Sequence, residues 1–111
     1  MILEGLTGNA TASKVLLYLE AYEEGYPRGI SETFQIAVSQ VQRQLERLER
    51  EGILVSRLIG KTRVYRWNPR CFYLKELRGI LAKSLERLPD KMKEIYFQKR
   101  TRPRRPGKPL P

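Results

Sequence analysis

The chain has 111 residues, enough for one compact domain with short extensions and too few for two. It holds a single cysteine, Cys71, and no histidine. That excludes a disulfide framework and a Cys/His zinc site within one chain and removes the usual general base, so neither an enzyme nor a cofactor or metal is expected. Lys and Arg number 22 against 12 Asp and Glu, and the resulting +10 points to a polyanionic partner.

The opening residues MILEGLTGNA have neither the basic run nor the apolar run of an export leader. No apolar stretch approaches the roughly 20 residues that span a bilayer, so a cytoplasmic protein without membrane attachment is expected. Ala12, Val15, Leu16, Leu19 and Tyr22 recur at helical spacing and predict a first helix over about 12–24, capped by Thr11 or Ser13. Leu17 and Tyr18 fall off that stripe and suggest a second apolar face, offered to a partner subunit. Gly25 and Pro27 break the pattern, and a short second helix over 27–34 turns Ile30 and Phe34 inward. After the connection 35–38, Ser39 caps a third helix that runs to Glu51 and stops at Gly52, with Val41, Leu45 and Leu48 on one face.

The stretch ILVSRLIGKTRVYRW then reads as a β-hairpin turning at Gly60, Lys61 and Thr62 and ended by Asn68 and Pro69. A fourth helix from Cys71 or Phe72 to Leu88 carries the seam Leu74, Leu77, Leu81, Leu85 and Leu88. Pro89 and Asp90 open a last helix, to about Arg100, that holds Met92, Ile95 and Tyr96. The final TRPRRPGKPLP has four prolines and a glycine, a composition that cannot bury a core. Six basic residues and no acid lie between Ile95 and Pro111, so the other 94 residues carry only +4. The fold class is mainly α with a small β-hairpin, α+β.

Two short helices, a tight turn, a longer third helix and a basic hairpin follow one another in TASKVLLYL, IAVSQVQRQLERLEREGILVSR and GKTRVYRWNP. In this order and spacing, Leu6 to Pro69 resembles the winged helix-turn-helix of prokaryotic transcriptional regulators, the ArsR/MarR-like superfamily. The segment LERLEREGIL is similar to the Leu-x-x-Leu-Glu-x-x-Gly-hydrophobic passage by which such regulators leave the recognition helix and enter the wing. Tyr65, Asn68 and Pro69, followed by a Leu-rich helix, resemble a subgroup found beside, or fused to, a small nucleotidyltransferase. The resemblance implies a DNA-binding winged helix over 1–69 with packing or dimerisation helices over 70–100, and composition makes 101–111 a flexible basic tail.

It also implies a sequence-specific regulator of double-stranded DNA, with a recognition helix over about 39–51 in the major groove. A rotation of 100° per residue, with Val41, Leu45 and Leu48 inward, sets Ser39, Gln40, Arg43, Arg47 and Arg50 opposite and Gln42 at the border. Gln40, Gln42 and Arg43 are the candidate base readers, Ser39 a cap and phosphate contact, and Arg47 a backbone contact. The plainer reading is a solvated helix whose Glu46, Glu49 and Glu51 pair with its arginines. Lys61, Thr62 and Arg63 stand at the hairpin tip, flanked by Arg57 and Arg66, for phosphate or the minor groove. Tyr65 and Trp67 pack inward, and Cys71 is core filler.

Arg102, Arg104 and Arg105 make the tail a cationic arm that binds through counterion release. Its RPRRPGKP partly resembles the AT-hook but has Pro106, Gly107, Lys108 and Pro109 where that core begins with arginine. The leucine seam packs on the first helix, or continues with Ile80 into a homodimer that would present two recognition helices to a palindrome. Two alternatives stand beside this reading: an adaptor for a nucleotidyltransferase or toxin partner, and an RNA-binding protein using the hairpin aromatics and the tail. Operator, effector and the direction of regulation are not written in the sequence.

Overall fold

The computed structural model describes residues 8–97. Arg102, Arg104, Arg105 and the whole basic tail lie outside the described residues. In chain order the elements are α1 (Ala10–Tyr22), β1 (Glu24–Gly25), α2 (Pro27–Phe34), α3 (Val38–Arg50), β2 (Leu54–Ile59), β3 (Thr62–Trp67), α4 (Leu74–Glu86) and α5 (Asp90–Tyr96). The three strands form one antiparallel sheet in the order β1-β3-β2, and the fold is an α+β winged helix with two further helices behind it.

Helix α1 begins earlier than its apolar stripe suggested, because Asn9 caps it in place of Thr11 or Ser13. The Asn9 side chain accepts from the Ala12 amide at 3.0 Å, while the Ser13 hydroxyl, fully buried, donates to the Asn9 carbonyl. The helix ends at Tyr22, since Glu23 takes a left-handed conformation (φ 74°) and returns its amide to the Leu19 carbonyl at 2.8 Å. The second apolar face is satisfied within the chain, not by a partner. Leu17 is fully buried, Tyr18 packs on Tyr22 and Phe34, and α1 lies against both α3 and α4.

The two-residue strand β1 follows, too short to show any periodicity. Gly25 pairs with Tyr65, and a Cβ at this position would stand 2.7 Å from a Tyr18 ring carbon, so only glycine allows this approach of β1 to α1. Helix α2 has the expected bounds, with Pro27 in its first turn and Ile30 and Phe34 buried. Gln35 (φ 58°) then reverses the chain, and the Ser31 hydroxyl fixes the turn by donating to the Ile36 carbonyl at 2.7 Å.

Ser39 does not cap α3. The N-cap is Ala37, which has no side-chain acceptor, so Ser39 is the second residue inside the helix. Val41, Leu45 and Leu48 are buried as the spacing predicts, joined by Gln44. Gly52 (φ 84°) stops the helix with paired bonds, its own amide to Glu49 and the Ile53 amide to Leu48, each 3.0 Å. The hairpin turn is Gly60-Lys61 alone, because Thr62 already pairs with Ile59; Gly60 supplies the positive φ (64°) that the first position of such a turn needs.

Helix α4 starts at Leu74, later than Cys71 or Phe72, and ends at Glu86. Its seam is graded: Leu81 is fully buried in the same core cluster as Val15, Leu45 and Trp67, while Leu74, Leu77 and Leu85 are half-buried. Arg78 locks α4 to α1 through 2.8 Å bonds to Glu20 and Glu23, with its guanidinium 5.4 Å over the Trp67 ring. Helix α5 stops at Tyr96, short of the expected Arg100, and folds back onto α1 and α2. There the Tyr22 hydroxyl donates to the Tyr96 carbonyl at 2.9 Å and Phe34 packs on Tyr96. No helix among the described residues is long and apolar enough to cross a membrane.

Candidate nucleic-acid interface

Two levers position the exposed side of α3. Its apolar face is clamped into the core by Val41, Leu45 and Leu48, which fixes its rotation, and the Gln35 turn sets its start against α2. The side chains turned outward differ along its length. Over the first turns, Val38, Ser39, Gln40, Gln42 and Arg43 are all exposed, and Arg43 has no ion-pair partner among the described residues. Over the last turns Gln44, Arg47, Glu49 and Glu51 are engaged, whereas Glu46 and Arg50 are exposed without an ion pair among the described residues. The Arg47 Nε donates to the Gln44 Oε1 at 3.1 Å and its Nη1 lies 3.6 Å from Glu51, as the solvated-helix reading anticipated for this end.

Glu49 reaches across to the wing. The Ser56 hydroxyl donates to a Glu49 carboxylate oxygen at 2.8 Å, and Arg63 Nη1 donates to Ser56 Oγ at 3.0 Å, so the wing is tied to α3 by a side-chain chain of three. Tyr65 is buried beneath it, 2 % exposed. Burial, then the carboxylates Glu49 and Glu46, push its hydroxyl above the usual tyrosine pKa, with Arg63 opposing. Trp67 is 6 % exposed, its indole nitrogen unpartnered. Neither ring has a face free for stacking on a base.

Lys61, Thr62 and Arg63 are exposed at or beside the tip. A groove of about 310 Å³ brings them together with Val38 and Gln42 of α3 and with Tyr26, Pro27 and Arg28 at the start of α2. Three of these residues escaped the sequence reading: Val38, which the expected cap placed outside the helix; Tyr26; and Arg28. Arg28 was within reach, because the inward pair Ile30 and Phe34 turns it outward by helical rotation. Of the flanking cations, Arg57 is exposed opposite Val64. Arg66 lines a different hollow, with Glu24, Trp67 and Arg78 at the base of the wing. Cys71 is half-buried and packs at the edge of the core.

No protein-family model and no curated protein sequence matches the chain. Among solved structures, the fold is similar to a MarR-family transcriptional regulator from Rhodococcus sp. RHA1, with a TM-score of 0.55 and 20% identity over 85% of this chain and 79% of that one. It is similar also to an apo form of Lactococcus lactis ZitR (0.53; 16% identity; 85% and 80%) and to the adhesin competence repressor AdcR of Streptococcus pyogenes (0.50; 12%; 85% and 79%). At such identities the likeness is one of fold, and it establishes the winged helix. The nucleotidyltransferase association gains no support from it.

Proposed function

We propose that the protein is a sequence-specific transcriptional regulator of double-stranded DNA, with α3 in the major groove and the β2–β3 wing on the backbone and minor groove. The observation that carries this reading is the shared groove: Val38 and Gln42 from the start of α3 open onto one surface with Lys61 and Arg63 of the wing and Arg28 of α2, and Gln40 and Arg43 are exposed on the same turns of the helix. The major groove, about 12 Å wide, admits a helix, and polar side chains from its first turns reach base edges. Gln40, Gln42 and Arg43 are the base-reading side chains. Ser39, Lys61, Thr62 and Arg63 contact phosphate, with Arg47 held back toward the DNA backbone. Residues 1–69 form the binding module and 70–100 the packing and dimerisation helices of a homodimer. The tail residues Arg102, Arg104 and Arg105 add counterion-driven affinity without sequence preference. Solved proteins of the same fold that are described as regulators support this reading.

Burial of Tyr65 and Trp67 argues against single-stranded RNA as the partner. A protein-partner reading has one observation behind it: Phe72 is 92 % exposed and stands edge-on to Tyr73 between the wing and α4. The test is titration of the full chain into a labelled duplex from the DNA upstream of its own coding sequence and into a scrambled duplex, over a range of salt. The regulator reading expects tighter binding to the native duplex. A truncation after Arg100 is expected to weaken both duplexes alike and to flatten the salt dependence. Absence of duplex binding at low salt sinks the reading in favour of a protein partner.

A further inference from the structure

We infer that Leu58, near the end of the wing, is a minor-groove wedge: an aliphatic side chain that enters a flexible base step and bends the duplex. The inference rests on the DNA-binding reading above and adds a residue of a different chemistry from the polar and cationic groups assigned there.

Strand β2 passes from core to solvent along its length. Leu54 is buried, whereas Leu58 is 59 % and Ile59 50 % exposed, immediately before the Gly60-Lys61 turn. Such side chains are left in water only at a cost, and their place at the far end of a projecting hairpin keeps them from the protein's own core. Strand alternation separates the two. Ile59 pairs with Thr62 and lines a hollow beside β1 with Tyr26 and Val64. Leu58 pairs with Arg63 and shares the face of Ser56, the face tied to α3 through Glu49. Leu58 therefore lies on the side of the wing that faces the recognition helix.

Charge chooses the occupant. Arg63 stands across the ladder on the same face as Leu58 and Lys61 holds the turn, both exposed, while Arg57 turns to the opposite face of the strand. An apolar knob with a cation on its own face and another in the turn beside it is complementary to an apolar floor between two phosphate walls, not to an apolar protein surface. Dimensions agree: a two-stranded ribbon is about 4.8 Å between strand axes before its side chains are added. The minor groove is about 6 Å wide, so the ribbon cannot descend flat, whereas one side chain at its end can. Aliphatic wedges of this kind partly unstack a step and kink the duplex by about 20–90°. Pyrimidine–purine steps such as TA yield most readily.

The test is end-to-end energy transfer in a doubly labelled duplex, about three helical turns long, from the chain's own upstream DNA. Full-length wild type, Leu58→Ser and Ile59→Ser are compared at saturation, with thermal melts to confirm that each is folded. Wild type and Ile59→Ser are expected to bring the duplex ends closer. Leu58→Ser is expected to bind within about tenfold of wild type but to lose at least half of that change. Equal bending by Leu58→Ser, or wild-type binding with no bend, overturns the wedge and leaves the DNA-binding reading standing. If no form binds the duplex, the DNA-binding reading itself fails and the wedge with it.

Discussion

The two ends of α3 carry similar polar side chains and use them in opposite ways. At its start Gln40, Gln42 and Arg43 extend from the surface without partners among the described residues, while at its end Arg47 is spent on Gln44 and Glu51, and Glu49 on the wing. The difference lies in the neighbours, not in composition. The last turns run into β2 and have the hairpin alongside, so Arg47, Glu49 and Glu51 find internal partners, while Glu46 and Arg50 stay in solvent. Of the first turns, Val38 and Gln42 line the groove shared with the wing tip, and Ser39, Gln40 and Arg43 are exposed outside that lining. One end anchors the helix, and the other is left free to make contacts outside the protein.

The largest effect expected along α3 comes from neither end but from the face beneath both. Leu45→Ala empties a fully buried site and is expected to lower unfolding free energy by about 2–5 kcal/mol, read by urea denaturation, and to weaken every DNA contact only through unfolding. At the free end, Arg43→Ala is expected to cost about 1–3 kcal/mol of discrimination between a cognate and a scrambled duplex with no change in melting temperature. At the tied end, Glu49→Ala releases Ser56 and Arg63 together. It is expected to cost about 0.5–1.5 kcal/mol of stability, a few degrees in Tm by calorimetry, and to leave the preference for a cognate duplex in place.

The smallest effect is the contribution of the tied end to the pH dependence of stability. Burial and the nearby Glu49 and Glu46 carboxylates raise the folded pKa of the Tyr65 hydroxyl above the ordinary tyrosine value of 10.0, so the folded state holds that proton more tightly than the unfolded one. Its contribution to stability is fully present below pH 10 and is lost as the pH rises through the folded value. Melting temperature is expected to fall more steeply above pH 10 in wild type than in Tyr65→Phe.

Much of the fold was legible because burial and periodicity coincide. The inward triad of α3, the bounds of α2 and the hairpin follow from residues whose apolar spacing matches a helix or a strand. The start of α1 was not legible, since Asn9, Thr11 and Ser13 are all able to cap and only the assembled fold turns Ser13 inward. The two residues of β1 have no period to show, and Leu17 was assigned to a partner subunit because a sequence gives the face but not the neighbour that covers it. The candidate site was legible as an outward face and a basic tip. The link from Glu49 through Ser56 to Arg63 spans residues seven apart twice over, and the groove joins elements more than 30 residues distant; neither leaves a local pattern.

The central claim, that the first turns of α3 recognise DNA and the last turns anchor it, is tested most directly by one ratio. Affinity for the duplex upstream of the coding sequence, divided by affinity for its scrambled counterpart, is measured for wild type, Arg43→Ala and Arg47→Ala at fixed salt. The account predicts a ratio that falls by about tenfold or more in Arg43→Ala and stays near the wild-type value in Arg47→Ala. A ratio preserved in Arg43→Ala and lost in Arg47→Ala contradicts it.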